Sequence, residues 1–502
     1  MTNPLDDRET TGISGLDDVL RGGYPQNRLF LVTGVPGSGK TTLAMQFLLD
    51  GLRQGETSLY VTLSETRFEI ESVAHSHGWD ISKLKICELI PSEQNLSPEA
   101  QLTVFSLSEF ELGETTRAMI AEIEKYNPRR IVLDSLSELR LVAQNSLRYR
   151  RQILALKTYF AGRDCTVLML DDQSAAGGDD QLESIAHGVI LLENTVNHFG
   201  AERRRLRIVK MRGVPFRGGY HDFRISRGGL DVYPRLIAAE HHEAFDNTEM
   251  SSGHAELDQL LCGGIPLGTS TLLLGPAGTG KSTISTQFSA SAAARGQRAA
   301  MFIFDENLTT FRTRSQKLGM PVDRFIEQGL LTVQQIDPAE LSIGEFTALV
   351  RRAINGEDNG IPADVVVIDS LNGYLNAMPE EASLTAHLHE LLSYLGQQGI
   401  VTFLTVTQSG MIGAGMKTSI DTTYLADNVI LFRFFEAFGL VRRAISVVKK
   451  RSGKHELTIR EMRVDNDGVE IGPPLHEFQG ILTGVPNYVG NRADLIKKDG
   501  DA

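Results

Sequence analysis

Short apolar runs recur along the chain and alternate with longer segments in which the apolar positions follow a helical period. The first half has such runs at 58–63, 130–134, 166–171, 188–193 and 205–211, and the second half at 299–305, 363–369, 400–407, 428–434 and 444–449. Strands that are apolar on both faces are typical of a mainly parallel sheet covered by helices on both sides. The pattern therefore predicts an α/β fold in each half.

The second half of the chain repeats the first. TGISGLDDVLRGGYP at 11–25 matches SGHAELDQLLCGGIP at 252–266, and Lys40 and Lys281 lie at the same offset, 281 − 40 = 241 residues. A period near half the chain indicates a duplicated domain rather than a solenoid of short repeats. The stretch 235–250 is polar and lacks apolar periodicity, which is typical of a linker. We therefore predict one domain at 1–240 and a second at 241–502.

Each copy carries G-x-x-x-x-G-K-[ST] between an apolar run and a helical pattern, a spacing typical of a P-loop. Its glycines let backbone N–H groups approach phosphate oxygens, and the following helix N-terminus favours an anion. The lysine would reach the β- and γ-phosphates, and the next hydroxyl would bind Mg²⁺. The predicted ATP-binding residues are Gly34, Gly37, Ser38, Gly39, Lys40, Thr41 and Thr42, and then Gly275, Gly278, Thr279, Gly280, Lys281, Ser282 and Thr283.

An aspartate ends a later apolar run in each copy, in LDSL at 133–136 and IDSL at 368–371. Parallel sheets place ligands at such strand ends. Asp134 and Asp369 would therefore hold Mg²⁺ together with the P-loop hydroxyls of Thr41 and Ser282.

A second acidic group follows the first strand after the P-loop helix, in LSET at 63–66 and FDEN at 304–307. Glu65, Asp305 and Glu306 could accept the proton of the group that attacks the γ-phosphate. The alternative is that they are only helix-start carboxylates favoured by the helix dipole. Because Ser64 stands where the second copy has Asp305, we expect faster ATP hydrolysis in the second copy.

Basic segments follow late in each copy, RRRLRIVKMRG at 203–213 and RRAISVVKKRSGKH at 442–455. A solvated charged strand and a nucleic-acid contact are two interpretations. A third is a strand with one cationic face that reaches the nucleotide of a neighbouring subunit, as arginine fingers do.

The composition is that of an ordinary globular protein, with 502 residues, 41% hydrophobic, 23% charged and a formal net charge of −13. This acidic balance makes nucleic acid an unlikely partner. Cys87, Cys165 and Cys262 are far apart and are typical of free thiols in a reducing compartment. The N-terminus is polar and no apolar run is long enough for a membrane span, so we expect no membrane partner and a cytoplasmic location.

Together, the tandem P-loops, the GG-x-P segments before them, the IDSL strand end and the K-x-R strand ends resemble the KaiC family of circadian clock proteins. The resemblance extends from about Thr11 to Pro486. It implies two tandem RecA-like domains, an N-terminal CI-like ATPase and a C-terminal CII-like ATPase and serine/threonine autokinase. It further implies a homohexamer with ATP and Mg²⁺ bound between subunits.

The same resemblance assigns roles to residues outside the P-loops. Residues that would contact ATP across the subunit interface are Lys210, Arg212, Lys449, Arg451 and His455. The family's phosphoacceptor pair falls on Thr423 and Tyr424, of which Tyr424 is a longer phenol. A KaiB-like partner is compatible with the resemblance, whereas the short polar stretch from Tyr488 argues against a KaiA-like one.

Two other functions fit the P-loops. One is a RecA- or helicase-like ATPase that depends on DNA, which the acidic balance and the lack of aromatic residues among the basic loops disfavour. The other is a nucleotide-switched signalling scaffold with little turnover, which measured ATP hydrolysis would exclude.

Overall fold

Each half of the chain folds around a nine-stranded sheet with helices on both faces. The computed structural model describes residues 7–89, 107–143, 145–173, 180–196, 200–376, 384–408, 423–466, 468–482 and 486–490. The chain divides into two units, residues 1–235 and residues 236–502.

The sheet of the first unit has the strand order β11-β10-β9-β8-β3-β7-β6-β4-β5. Its strands, with the short pair β1–β2, are β1 (Arg8–Glu9), β2 (Tyr24–Pro25), β3 (Leu29–Gly34), β4 (Ser58–Thr62), β5 (Lys85–Glu88), β6 (Arg130–Asp134), β7 (Thr166–Asp172), β8 (Gly188–Thr195), β9 (Arg203–Met211), β10 (His221–Ser226) and β11 (Gly229–Tyr233). The six strands β3 to β8 are parallel, and β9, β10 and β11 continue the sheet antiparallel. The helices are α1 (Ser14–Val19), α2 (Lys40–Arg53), α3 (Arg67–His77), α4 (Leu107–Tyr126), α5 (Leu136–Ala143), α6 (Ser146–Ala161) and α7 (Asp180–Ile185).

The sheet of the second unit has the equivalent order β16-β15-β17-β18-β14-β19-β20-β21-β22. The strands are β12 (Glu249–Met250), β13 (Ile265–Pro266), β14 (Ser270–Gly275), β15 (Ala299–Ile303), β16 (Leu331–Gln335), β17 (Val365–Asp369), β18 (Val401–Thr407), β19 (Asn428–Ala437), β20 (Leu440–Lys450), β21 (Arg460–Asp465), β22 (Gly468–Pro474), β23 (Phe478–Gln479) and β24 (Asn487–Tyr488). The helices are α8 (Ala255–Leu260), α9 (Lys281–Ala294), α10 (Leu308–Lys317), α11 (Val322–Glu327), α12 (Ile343–Asn355), α13 (Leu371–Asn376) and α14 (Leu384–Gln397).

Burial on both faces explains why the central strands are apolar at every position. Along β3, Phe30 and Val32 belong to one core cluster, whereas Leu29 and Leu31 belong to the cluster on the opposite face. The second unit alternates in the same way along β14. The predicted α/β architecture with a mainly parallel sheet is therefore confirmed for both units.

Six sheet strands lie outside the predicted runs, namely β5, β10, β11, β16, β21 and β22. They form the outer parts of each sheet, where β5 and β16 are edge strands and β10, β11, β21 and β22 pair antiparallel with their neighbours. β5 is only KICE, and β10, HDFRIS, alternates buried and more exposed positions. Short, polar edge strands lack the continuous apolar signal that marks the central ones.

Candidate nucleotide-binding sites

The two P-loops connect the ends of central strands to the starts of long buried helices. In the first unit, Gly37 and Gly39 have φ of +77° and +99°, a left-handed conformation that L side chains rarely adopt. A Cβ on Gly39 would also lie 2.9 Å from Cδ1 of Ile225. In the second unit, Gly280 has φ of +102° and a Cβ there would lie 2.7 Å from Cε of Met462. The glycines are thus required by backbone conformation and by space.

The loop lysines are buried, and each ammonium contacts backbone carbonyls at the start of its own loop. Lys40 Nζ donates to the carbonyl oxygens of Gly34 at 2.9 Å and Val35 at 3.0 Å. Lys281 Nζ donates to Gly275 at 2.9 Å and Pro276 at 2.7 Å. Burial lowers the pKa of Lys281 to about 8, although the charge of Asp369 acts in the opposite direction. Each ammonium is therefore positioned for a phosphate group by its own loop.

One ionic contact distinguishes the two lysines. Lys40 Nζ lies 2.7 Å from Oδ1 of Asp172, at the end of β7. The matching end of β18 is Thr407, since Gly34 pairs with Asp172 and Gly275 pairs with Thr407. Sequence reasoning missed this contact, although the second aspartate of TVLMLDD was the available signal.

The strand-end aspartates meet the P-loop hydroxyls as expected. Thr41 Oγ1 donates to Asp134 Oδ2 at 3.0 Å, and the Tyr60 hydroxyl donates to the same oxygen. In the second unit, the hydroxyl of Ser282 and that of Thr405, at 2.5 Å, donate to Asp369.

Burial raises the pKa of both Asp134 and Asp369, and hydrogen bonds to their carboxylates act in the opposite direction. A carboxylate and a hydroxyl are hard oxygen ligands of the kind that Mg²⁺ prefers. The residues present therefore fit a magnesium ion that is also bound by nucleotide phosphates. Among the described residues, no group of three or more His, Cys, Asp or Glu side chains could hold a metal ion.

The three candidate bases have different surroundings. Glu65 is half-buried, and its Oε2 has no hydrogen-bond partner among the residues that the structure describes. Burial, and next the charge of Asp134, raise the pKa of Glu65. In the second unit, Asp305 accepts a hydrogen bond from the Ser370 hydroxyl, and Glu306 forms an ion pair with Arg314. The sequence predicts all three carboxylates at strand ends, but it does not predict the contacts with Ser370 and Arg314.

A family model described as "ATPase: KaiC" matches residues 9–237 and, a second time, residues 250–476. The chain belongs to the KaiC family.

Two cyanobacterial KaiC proteins match the chain over nearly its whole length. It is 29% identical to the circadian clock protein KaiC3 of Synechocystis sp. over 487 residues, which cover 95% of this chain and 94% of that protein. It is 28% identical to the circadian clock oscillator protein KaiC of Synechococcus elongatus over 503 residues, 97% of this chain and 95% of that protein. The resemblance drawn from the motifs is thereby confirmed, and the tandem units are KaiC ATPase domains.

The basic residues that KaiC resemblance assigns to a subunit interface lie far from the P-loop of their own unit. Arg212 N–H donates to the carbonyl of His187, whose N–H donates to Leu29, the first residue of β3, whereas the P-loop follows the last residue of that strand. The side chains of Lys210 and Arg212 donate to the carbonyls of Glu183 and Ser184.

The second unit repeats this placement. Arg451 N–H donates to the carbonyl of Asp427, whose N–H donates to Ser270 at the start of β14. Lys449 Nζ donates to the carbonyls of Thr423 at 3.0 Å and Ala426 at 2.6 Å. His455 lies further along the chain, where its Nδ1 is 3.0 Å from the carbonyl oxygen of Glu456. The structure thus brings Lys449 and Arg451 to the same turn, whereas the described contact of His455 is with the adjacent residue.

Thr423 and Tyr424 lie in the turn before β19, with the Tyr424 side chain 55% exposed. The Arg451 guanidinium donates to the Tyr424 carbonyl at 3.4 Å and pairs with Asp427 at 3.0 Å. The candidate acceptors and the candidate interface cations therefore share one end of the second unit. Of the other hydroxyls in this segment, Thr418, Ser419 and Thr422 lie outside the described residues.

None of the described helices is both long enough and apolar enough to cross a membrane.

The depressed pKa of Lys281 predicts pH-dependent nucleotide binding to the second unit. Its ammonium loses its proton above pH of about 8 in the nucleotide-free protein, and a neutral amine attracts phosphate far less. Affinity for a fluorescent ATP analogue, measured on Lys40→Ala so that the first loop is weakened, should fall by about tenfold per pH unit above that value.

Lys281→Arg in the same background is the matched control, because a guanidinium stays charged over this range. If Lys40→Ala binds the ATP analogue with the same affinity at pH 7 and pH 9.5, the prediction is wrong.

Proposed function

We propose that this KaiC-family chain is an ATPase with two nucleotide sites that assembles as an ATP-dependent homohexamer and phosphorylates itself on Thr423. The observation that carries the proposal is the repeated contact between the P-loop hydroxyl and a buried strand-end aspartate, Thr41 with Asp134 and Ser282 with Asp369. Together with a buried lysine in each loop, it supplies the parts that phosphoryl transfer needs at both sites. When bound, Mg²⁺ would neutralise charge on the phosphate oxygens and be held by these residues.

In the first unit, Glu65 is the proposed general base. Its unpartnered Oε2 can accept a proton from water, and its raised pKa makes it a stronger base than an exposed glutamate. In the second unit, both Asp305 and Glu306 already have partners. These contacts support faster hydrolysis in the first unit, which is the reverse of the ranking that residue types alone suggest.

Replacing Glu65 should remove most of the first unit's turnover. Glu65→Gln should lower it by about 10²–10⁴-fold, as loss of a general base usually does. In the unsubstituted chain, the rate should fall as the pH is lowered, because the base must be ionised. The apparent pKa of this fall should lie above the value of about 4.3 for an exposed glutamate, because burial raises the pKa of Glu65. Released phosphate is measured from pH 4 to pH 8.

The matched control is Glu71→Gln, since Glu71 is exposed on α3, where it forms an ion pair with Arg67. If Glu65→Gln hydrolyses ATP at the parent rate, Glu65 is not the base.

Assembly is proposed from the position of the basic strand ends. Lys210, Arg212, Lys449 and Arg451 are held beside the first residues of their central strands, so they cannot serve the phosphates of their own unit. We infer that these cations contact the nucleotide of a neighbouring subunit. Lys449 and Arg451 also contact the backbone of Thr423 and Tyr424, so this arrangement would place the acceptor beside a neighbour's γ-phosphate.

Loss of these cations should weaken ATP-dependent rings. Arg212→Ala and Arg451→Ala should each raise the protein concentration needed for half-assembly by about tenfold or more, since a hydrogen bond to a charged group contributes about 1.5–3 kcal/mol. Light scattering with and without Mg-ATP measures the assembly. Arg53→Ala, at an exposed position on α2, is the control. A parent chain that stays monomeric in saturating Mg-ATP would refute the hexamer.

Thr423 should carry phosphate after incubation with Mg-ATP, and Tyr424 little or none because its longer phenol does not place oxygen at the same point. Mass spectrometry of intact rings should find the modification lost in Thr423→Ala and in Lys281→Ala, and retained in Lys40→Ala once nucleotide is saturating. Phosphate would add about −1.5 to −2 charges next to Lys449 and Arg451. An unmodified Thr423 in a chain that hydrolyses ATP would mean an ATPase without the kinase.

A further inference from the structure

The carboxylate of Glu306 in the second unit is held by Arg314. Nε of Arg314 donates to Oε1 at 3.1 Å and Nη2 donates to Oε2 at 2.9 Å, so both carboxylate oxygens are used. Both side chains are 24% exposed. A two-point pair between a guanidinium and a carboxylate is strong and also fixes the direction in which the carboxylate faces.

The first unit has no equivalent of this pair. α3 begins at Arg67 and α10 begins at Leu308, again 241 residues apart, so Val73 stands where the second unit has Arg314. Glu65, the counterpart of Glu306, keeps a buried Oε2 without a hydrogen-bond partner. The duplicated units therefore share the candidate base but differ in what holds it.

Arg314 also lies close to the phosphate end of the site. Its charge acts on Asp369, where it opposes the larger effect of burial on the pKa of that carboxyl. Its Nη1 is buried and has no hydrogen-bond partner among the described residues. The guanidinium thus has an Nη1 amino group that is free among the described residues, and its charge acts on the aspartate that would hold Mg²⁺.

We propose that Arg314 is a positioning residue that holds Glu306 away from water and so slows ATP hydrolysis in the second unit. The inference rests on the proposed function, since it concerns the same site. In hydrolysis, the water oxygen bonds to the γ-phosphorus, the bond from that phosphorus to the β–γ bridging oxygen breaks, and the water proton passes to a carboxylate. A carboxylate whose two oxygens already accept from a guanidinium is a poor acceptor for that proton.

Slow hydrolysis in this unit would preserve bound ATP for a different acceptor. The retained nucleotide could then transfer its γ-phosphate to a side-chain hydroxyl. Arg314 would in this way set the balance between loss of phosphate to water and transfer to protein, without itself touching the attacking group.

The test uses the full chain with Glu65→Gln, so that the second unit's hydrolysis is measured against a lowered background. In that parent, Arg314→Val, which installs the residue of the first unit, should raise ATP turnover by about tenfold. Arg314→Lys should raise it less, since an ammonium keeps the charge but not the two-point contact. Arg312→Val is the matched control on the same helix, where Arg312 is half-exposed and pairs with Asp323.

A double-mutant cycle of Arg314 and Glu306 distinguishes loss of their ion pair from a general effect of the substitution on folding. The rise caused by Arg314→Val should disappear when Glu306→Gln is also present, because there is then no base to release. If Arg314→Val does not fold, Arg314→Met is used in the same cycle, because it keeps a long unbranched side chain beside the Phe311 ring, over which the guanidinium of Arg314 lies.

Two results would overturn the inference. One is the same rise in the presence of Glu306→Gln, and the other is a fall in turnover in Arg314→Val with ATP affinity unchanged, which would make Arg314 a direct phosphate ligand. The proposed function fails on different measurements, namely no ATP hydrolysis by the unsubstituted chain or no nucleotide binding to the second unit.

Discussion

A buried ammonium at the mouth of each P-loop is the constraint on which both sites depend. Removing a lysine from water is costly unless oxygen atoms replace the lost hydration, and each loop supplies two of its own carbonyls for this. Those carbonyls can face the ammonium only because the intervening glycines adopt left-handed backbone conformations. The strand before the loop is fully buried and most of the helix after it is buried, which keeps the lysine and the hydroxyl beside it in fixed positions.

The two units differ in how the charges of the P-loop lysine and of the candidate base are balanced. In the first, the lysine has an ionic partner in Asp172, whereas Oε2 of the candidate base Glu65 has no hydrogen-bond partner within the described part of the chain. In the second, Lys281 is held by carbonyls and its pKa falls, whereas Glu306 is the group with an ionic partner. The two units thus share the backbone of the site but differ in which group has an ionic partner, the lysine in the first unit and the glutamate in the second. Equal backbone geometry therefore does not imply equal chemistry.

Much of this could be predicted from sequence because the signals are local. Central strands are marked by continuous apolar runs, the P-loops by fixed glycine spacing, and Asp134 and Asp369 by their position directly after a strand. The contacts of Asp172, Ser370 and Arg314 do not follow from these local signals. Asp172 and Ser370 meet Lys40 and Asp305 across elements that the strand order brings together, and Arg314 reaches Glu306 from the second turn of α10. Val73 and Arg314 illustrate the limit, since both occupy ordinary helix positions and only the fold shows that one of them faces a carboxylate.

Because β9 and β20 run antiparallel to the central strands, each unit has two unlike edges. The phosphate-binding edge lies where the central strands end, and the cationic edge lies where they begin. Surfaces that differ in this way cannot be matched by a two-fold axis, which would set like against like. Copies that use both edges must follow one another in a single direction, and such heterologous contacts either close or continue as a filament. If the proposed contact between subunits forms, an open chain would leave one phosphate-binding edge at one end and one set of cations at the other without a partner, and only closure would complete every site.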